Sequence, residues 1–196
     1  NLHGQLNCKD CGIGKFNNLQ GQSDESVACK DCNMGKFNNL QGQSNCRDCG
    51  IGKFNNLQGQ SNCKDCGTGK FNNLQGQSDE SVACKDCGIG KFNNLQGQSN
   101  CLLCEAGKYN TKEGQTNETS CLLCAAGKTS NNDLTQCIDC VPGTFSAVAS
   151  SLTCTACQQG QITDTPGLTV CSPCAAGKMS NEDLTQCIDC VPGTFS

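Results

Sequence analysis

The cysteines are the residues of this chain whose type and spacing could do chemistry. All 22 fall into eleven C-x-x-C pairs, which follow one another at intervals of 16 to 21 residues. A cysteine sulfur can form a disulfide, bind zinc as a thiolate or act as a redox nucleophile. A redox site needs one special pair, whereas these eleven pairs are equivalent. The choice is therefore between disulfides and zinc.

Three arrangements fit this spacing. In a ladder pairing, the second cysteine of each pair bonds to the first cysteine of the next pair. In an interlocked pairing, neighbouring pairs bond first to third and second to fourth, which strands one pair because eleven is odd. In a zinc arrangement, two pairs hold one ion tetrahedrally. We favour the ladder pairing, and the other two stay open.

The ladder pairing expects no metal ion and no cofactor, and each loop of about 15 residues would destabilise the denatured state by about 3 kcal/mol. Cys8 and Cys190 would bond to modules outside the sequence. The ten predicted disulfides are Cys11–Cys29, Cys32–Cys46, Cys49–Cys63, Cys66–Cys84, Cys87–Cys101, Cys104–Cys121, Cys124–Cys137, Cys140–Cys154, Cys157–Cys171 and Cys174–Cys187.

Large apolar side chains are too scarce for an ordinary hydrophobic core. The hydrophobic fraction of 35% includes the 22 cysteines, and the chain has no Trp, one Tyr and seven Phe. Burial alone cannot offset the conformational entropy of such a chain, so cross-links must supply much of the order. This cysteine content is typical of a disulfide scaffold, and disulfides persist in oxidising compartments. We therefore expect an extracellular or cell-surface protein.

Glycines and aromatic residues recur at fixed positions and must position the cysteine pairs. A glycine always stands three residues after the second cysteine, as at Gly14 and Gly52, and an aromatic residue usually follows two residues later. Glycine at a fixed position indicates a backbone with positive φ or a close approach to other backbone. Each aromatic side chain is expected to pack on its own disulfide or on the next module.

The loops are too short and too rich in glycine and Asn-Asn pairs for an amphipathic helix beyond a turn or two. We expect either two short strands per loop, with Gly-Lys-Phe pairing back onto Gly-Gln-Ser, or irregular loops. The predicted fold class is small disulfide-rich repeats in an elongated, rod-like tandem array, with short strands, irregular loops and little regular secondary structure.

One continuous tandem array is predicted over residues 1–196, and both ends of the sequence are expected to cut through a module. The predicted modules are 8–28, 29–45, 46–62, 63–83, 84–100, 101–120, 121–136, 137–153, 154–170, 171–186 and the partial 187–196.

The motif C-x-x-C-x-x-G-x-(F/Y), with a loop ending in G-Q-(S/T) before the next pair, resembles the ephrin-receptor-like cysteine-rich repeats of large extracellular proteins. It is clearest at residues 11–16 and 140–145, and it is distantly similar to the first loop of tumour-necrosis-factor-receptor modules. The resemblance implies an elongated extracellular rod in which the glycine and the aromatic residue support a loop closed by one disulfide. It implies no single partner.

Charge and residue inventory argue against several functions. The net charge is −4 without a basic stripe, so nucleic-acid binding is not expected. No run approaches the ~20 apolar residues of a membrane span, so we expect no direct membrane insertion in this segment. The single histidine is His3, and the recurring Lys-Asp pairs fit a solvated, salt-bridged face. We therefore expect no enzyme.

The favoured function is structural: a disulfide-stapled rod, stalk or filament of a surface appendage or matrix fibre. Near-identical copies suit a rod whose modules do the same job, and lateral self-association or contact with other extracellular fibre proteins is expected. One alternative is a cell-surface adhesin or receptor stalk that binds a protein or glycan through Leu102, Leu103, Leu122 and Leu123. The other alternative is a multi-zinc protein.

Glycans are the expected modification. Asn117 begins the N-linked acceptor sequence Asn-Glu-Thr, and it lies between two cysteine pairs where a glycan would point to solvent. Many serines and threonines could carry O-linked sugars. The chain is therefore predicted to be a glycoprotein.

Overall fold

The computed structural model describes residues 7–194, in which each of ten loops is closed by one disulfide. We call these the stapled loops and number them in chain order. Loops 1 to 10 are residues 11–29, 32–46, 49–63, 66–84, 87–101, 104–121, 124–137, 140–154, 157–171 and 174–187.

The chain divides into two compact units. One unit is Asn1–Cys87 with Asn93–Cys101, and the other is Gly88–Phe92 with Leu102–Ser196. His3 lies outside the described residues. None of the described helices has the length and apolar character that crossing a membrane requires.

Each stapled loop carries one short antiparallel strand pair. The first strand follows the glycine that stands three residues after the opening cysteine, and the second strand lies in the next C-x-x-C pair. In loop 3, Lys53 pairs with Asp65 and Phe54 with Lys64. The strands in residues 7–194 are β1 Lys15–Phe16, β2 Lys30–Asp31, β3 Lys36–Phe37, β4 Arg47–Asp48, β5 Lys53–Phe54, β6 Lys64–Asp65, β7 Lys70–Phe71, β8 Lys85–Asp86, β9 Lys91–Phe92, β10 Leu102–Leu103, β11 Lys108–Tyr109, β12 Leu122–Leu123, β13 Lys128–Ser130, β14 Cys137–Asp139, β15 Thr144–Phe145, β16 Thr155–Ala156, β17 Gln161–Ile162, β18 Ser172–Pro173, β19 Lys178–Ser180 and β20 Cys187–Asp189.

The partner of the first strand differs from the sequence-based expectation. Lys-Phe does form a strand, but the expectation that Gly-Gln-Ser pairs with it is wrong. The staple holds the next cysteine pair against the first strand, and Cys66 extends the pairing by donating its N–H to the Gly52 carbonyl at 2.9 Å. Gly-Gln-Ser instead turns at Gly59, where φ is 68°, and the Gly59 amide bonds to the preceding loop.

Single helical turns occupy the extra residues of the longer loops 1, 4 and 6. These are α1 Glu25–Ala28, α2 Glu80–Ala83 and a 3₁₀ turn at Glu118–Ser120. A side chain caps each one: for α2, the Asp79 carboxylate accepts a hydrogen bond from the Ser81 N–H at 2.8 Å. The helices stay within the predicted limit of one or two turns.

The buried apolar side chains are few and cluster on the disulfides. Phe54 packs on the Cys66–Cys84 disulfide of the next loop. Phe92 packs on the Cys104–Cys121 disulfide, joined by Leu134. The expectation that the aromatic residue packs on a disulfide is confirmed at these positions, and small disulfide-rich repeats are the fold class of the chain.

Candidate functional sites: cross-links, loop junctions and exposed residues

Disulfides join twenty cysteines in the described part of the chain, and the pairs are those of the ladder pairing. The Cα atoms of each pair lie 5.4–5.8 Å apart, the usual separation for a disulfide. In loops 1 to 9 the cysteine that opens the loop is the more buried one: Cys32 and Cys49 are fully buried, whereas Cys46 and Cys63 are half-buried. Each of these nine loops therefore begins at a buried cysteine.

Two cysteines have no disulfide partner among residues 7–194. Cys8 is exposed and Cys190 is half-buried. Their bonding to modules outside the sequence stays a prediction. Within the same residues, no three or more His, Cys, Asp or Glu side chains form a group that could hold a metal ion.

Loops 1 to 5 are joined in succession by a recurring set of three backbone hydrogen bonds, which we call the junction. At the junction of loops 2 and 3 the bonds are Gly35 N–H to the Asn55 carbonyl at 2.7 Å, Asn38 N–H to the Gln60 carbonyl at 3.1 Å and Gly59 N–H to the Cys32 carbonyl at 2.9 Å. The same three bonds recur between loops 3 and 4 at 2.7, 3.0 and 2.8 Å. The sequence repeat is thus a repeat of backbone contacts.

A buried asparagine lies at the centre of the early junctions. Asn55 is 1% exposed, its Nδ2 donates to the Lys36 carbonyl of loop 2 at 2.7 Å, and its Oδ1 accepts from the Leu57 N–H at 3.2 Å. Burying an amide is costly unless its groups are bonded, and no buried side-chain nitrogen or oxygen in residues 7–194 lacks a partner. The buried asparagines are Asn38, Asn55, Asn72, Asn93 and Asn110.

Later loops place a hydroxyl at the same position. The Ser130 Oγ accepts a hydrogen bond from the Gly107 N–H at 2.9 Å, and the Thr163 Oγ1 donates to the Thr144 carbonyl at 3.2 Å. Sequence analysis missed this position and took the Asn-Asn pairs only as loop formers. The signal was present, because the residue after the aromatic position is Asn, Ser or Thr in all ten loops.

The glycine that stands three residues after the opening cysteine of a loop also approaches the loop two positions further along. A Cβ at Gly14 would overlap the Gly59 carbonyl, and a Cβ at Gly52 would overlap the Gly97 carbonyl. Gly52 also has a φ of 76°, which disfavours any other residue. Both predicted reasons for this glycine, positive φ and close approach, are confirmed. Loops therefore touch their neighbours and their next neighbours.

The four leucines that were predicted to contact a partner lie on the surface. Leu102, Leu103, Leu122 and Leu123 are 51%, 60%, 52% and 59% exposed. They form β10 and β12, at positions where loops 1 to 4 carry Lys-Asp or Arg-Asp. More than half of each side chain thus meets solvent rather than an adjacent module. Whether a partner binds there stays a prediction.

The leucines also change the ion pairs beside them. Elsewhere a lysine of the first strand pairs with the opposite aspartate in six loops. In loop 6 that position is Leu123, and Lys108 pairs instead with Glu105 at 2.9 Å and Glu118 at 3.3 Å. Hydrogen bonds from Lys108 to Glu105 and then to Glu118 raise the pKa of Lys108. The carboxylates are exposed, so these pairs contribute little stability.

Asn117 is exposed and caps the N-terminus of the 3₁₀ turn of loop 6. Its Oδ1 accepts a hydrogen bond from the Thr119 N–H at 3.0 Å, and Thr119 is exposed as well. The acceptor sequence is therefore accessible, and glycosylation at Asn117 stays a prediction.

Comparison with known families agrees with this geometry. The model of the family described as tyrosine-protein kinase ephrin type A/B receptor-like matches residues 75–121 and 127–174. The chain contains ephrin-receptor-like repeats. The resemblance read from the sequence is thereby confirmed. No curated protein matches the chain.

One backbone contact of the matched residues also occurs outside them. Gly14 donates its N–H to the Asn38 carbonyl at 2.7 Å in the unmatched part, and Gly90 donates to the Asn110 carbonyl at 2.8 Å in the matched part. This bond of the junction thus recurs in matched and unmatched loops. The chain is a disulfide-rich tandem-repeat protein in which residues 75–121 and 127–174 match the ephrin-receptor-like family.

Proposed function

We propose that the chain is an extracellular structural protein whose ephrin-receptor-like repeats build a disulfide-stapled rod, stalk or filament. The observation that carries the proposal is the junction. Its three backbone hydrogen bonds join each of loops 1 to 4 to the next loop, with distances that change by about a tenth of an ångström between the junctions of loops 2–3 and 3–4. Repeats that contact only near neighbours make an array whose length follows the copy number. The proposal assigns no catalytic activity to the chain.

An extracellular location supports this role and belongs to the proposal. The ten disulfides require an oxidising compartment to persist. N-linked glycosylation at the exposed Asn117 and O-linked sugars on exposed serines and threonines would fit the same compartment. Peptide mass spectrometry of the secreted, non-reduced chain tests the disulfides and glycans together, and a metal assay on the same sample tests the zinc alternative.

The rod is tested by changing the number of repeats without changing a junction. Residues 29–83 form a cassette that begins at a cysteine and ends in D-E-S-V-A, the segment that also precedes residue 29. Variants that duplicate or delete this cassette keep every junction type. For a rod, small-angle X-ray scattering gives a maximum dimension that changes in proportion to the number of loops at constant cross-section. A radius of gyration that grows only as about the 0.38 power of length, as in a globule, would overturn the proposal.

A second candidate is an adhesin or receptor stalk, and the exposed leucines of β10 and β12 favour it. An apolar patch that solvent reaches can mark a contact with a partner. The chain supplies a conservative test, since restoring Lys-Asp at both sites, with Leu102→Lys, Leu103→Asp, Leu122→Lys and Leu123→Asp, recreates the dipeptide used in loops 1, 3 and 4. Loss of binding on a glycan array would support the adhesin, and loss of self-association in sedimentation velocity would support lateral assembly. Unchanged behaviour in both assays would overturn the contact role of the leucines.

A further inference from the structure

Five stapled loops present the same exposed glutamine at a sharp turn. It stands in the tripeptide Leu-Gln-Gly, where the leucine is 49–60% exposed and the glycine has a φ of 67–70°. All five glutamines are exposed in the structure. We call them the tip glutamines: Gln20, Gln41, Gln58, Gln75 and Gln96.

The glutamine two residues later has a different environment, although its chemistry is identical. The Gln60 Nε2 donates to the Gln58 carbonyl at 3.1 Å, and the Gln60 carbonyl accepts the junction bond from Asn38. The side-chain carboxamide of Gln58 has no hydrogen-bond partner in the described part of the chain, and this holds for the other tip glutamines. We call the second set the junction glutamines: Gln22, Gln43, Gln60, Gln77 and Gln98.

A glutamine carboxamide that is exposed and unbonded at the tip of a loop can serve as the substrate of an enzyme that transfers its acyl group. Such enzymes must reach the side chain and its backbone, and loop tips are where enzymes gain that access. A cysteine thiolate of the enzyme attacks the glutamine Cδ, a general acid of the enzyme protonates the leaving nitrogen, the C–N bond breaks and ammonia leaves. A neutral lysine Nζ then attacks the thioester and gives its proton back to the same enzyme group, the C–S bond breaks to restore the thiolate, and an isopeptide bond forms. The exchange releases one ammonia and involves no oxidation or reduction.

We propose that the tip glutamines are acyl-donor sites for an enzyme of the transglutaminase class, with lysine amines as acceptors. Suitable acceptors lie in or directly beside these loops, because Lys9, Lys30, Lys85 and Lys91 are exposed and form no ion pair within residues 7–194. The first-strand lysines of loops 1 to 4, by contrast, form ion pairs with aspartates. Donors and free acceptors therefore recur together along one half of the chain.

The donor sites end where the tripeptide ends. In loop 6 the tip position is Glu113, a carboxylate that cannot donate an acyl group with loss of ammonia, and Gln115 is again bonded to the Glu113 carbonyl at 3.2 Å. Loops 7 to 10 lack the Leu-Gln-Gly tripeptide. The proposal thus predicts fast labelling in loops 1 to 5 and, in loop 6, only the slow rate of a junction glutamine at Gln115. Covalent joining of neighbouring chains rests on the structural role proposed above, whereas donor reactivity does not, so the two can fail separately.

The test uses the disulfide-intact chain, a purified transglutaminase and monodansylcadaverine, a fluorescent primary amine, with peptide mass spectrometry to locate the label. We expect each tip glutamine to label about 10-fold faster than the junction glutamine beside it, since the latter must first break its side-chain hydrogen bond. Equal labelling of both sets would overturn the proposal. So would an unlabelled native chain whose reduced and alkylated form labels readily.

A variant with all five tip glutamines replaced by asparagine keeps the carboxamide but shortens it. It should lose the label while the junction glutamines keep their slow rate, and retained label would contradict the assignment. Without the added amine, the wild-type chain should form covalent oligomers that survive reduction and carry isopeptides at Lys9, Lys30, Lys85 or Lys91. Donor labelling without such oligomers would support the sites and overturn their use in joining chains.

Discussion

Replacing Asn55 by alanine should open the junctions on both sides of loop 3. The change removes the Nδ2 bond to the Lys36 carbonyl and the Oδ1 bond from the Leu57 N–H. Because Asn55 is 1% exposed, water does not replace the lost amide, and the Lys36 carbonyl then faces a methyl group. A buried acceptor left without its donor costs about 1–3 kcal/mol. We expect a local destabilisation of this size.

Native-state hydrogen exchange with the disulfides intact measures this local effect, which a single melting temperature of a repeat array would average. Two backbone amides report on this. One is the N–H of Gly35, which bonds to the carbonyl of residue 55, and the other is the N–H of residue 55, which bonds to the Gln77 carbonyl. Their exchange should accelerate about 5- to 150-fold. The matched control is Asn56→Ala, whose side chain is exposed and only accepts from the Lys64 Nζ at 3.3 Å. Equal protection in the two variants would refute the structural role of the buried amide.

Three further predictions follow from the same loops. Gly52→Ala should destabilise loop 3 by about 1–3 kcal/mol or more, because alanine is strained at the positive φ of this position and its Cβ would overlap the Gly97 carbonyl. The control is Gly50→Ala, whose Cβ would meet no atom within 4 Å. Urea denaturation should give a change in the free energy of unfolding near zero for this control. Replacing both cysteines of loop 3 by serine should lower the free energy of unfolding by about 3 kcal/mol. Limited proteolysis should then cut this loop first, and first cleavage in another loop would contradict the prediction. Hydrogen bonds from the hydroxyl and then the N–H of Ser81 lower the pKa of Asp79, so the carboxylate stabilises α2 above the ordinary aspartate pKa and this contribution is lost as the pH falls through the lowered value. NMR titration of the α2 amides should show that loss at acid pH, and an Asp79→Asn variant should not titrate there.

Cysteine spacing and glycine position were enough to indicate how each loop is closed and where its backbone turns. The loop from Cys49 to Cys63 and the positive φ at Gly52 are both read from residues that admit few other roles. The strand partner was not predictable in the same way. Phe54 pairs with Lys64 because the Cys49–Cys63 disulfide holds the next cysteine pair beside the first strand. The strand propensity of single residues does not predict which segments a disulfide brings together.

The buried asparagines show a different limit of sequence reasoning. Asn next to Asn reads as a polar loop, since asparagine favours turns. Only the three-dimensional contact shows that the first of the two, such as Asn38 or Asn55, is buried while the second is exposed. Loops 7 and 8 extend this limit. Leu134 and Ser150 have φ values of 59° and 60°, and the Ser150 amide makes the bond to the Cys124 carbonyl that a glycine makes in the early loops.

The position of the extra residues explains how loops of different length share one junction. The last junction acceptor of a loop is the carbonyl of its junction glutamine, and α1 and α2 begin after that residue. Asn38 therefore bonds to Gln60 of the short loop 3 at 3.1 Å, and Asn55 bonds to Gln77 of the long loop 4 at 3.0 Å. Because length is added between the junction and the closing cysteine, an insertion changes what one loop presents to solvent and leaves its neighbours in register. An array built this way can gain, lose or vary loops without a compensating change elsewhere, as the structural role that we propose requires.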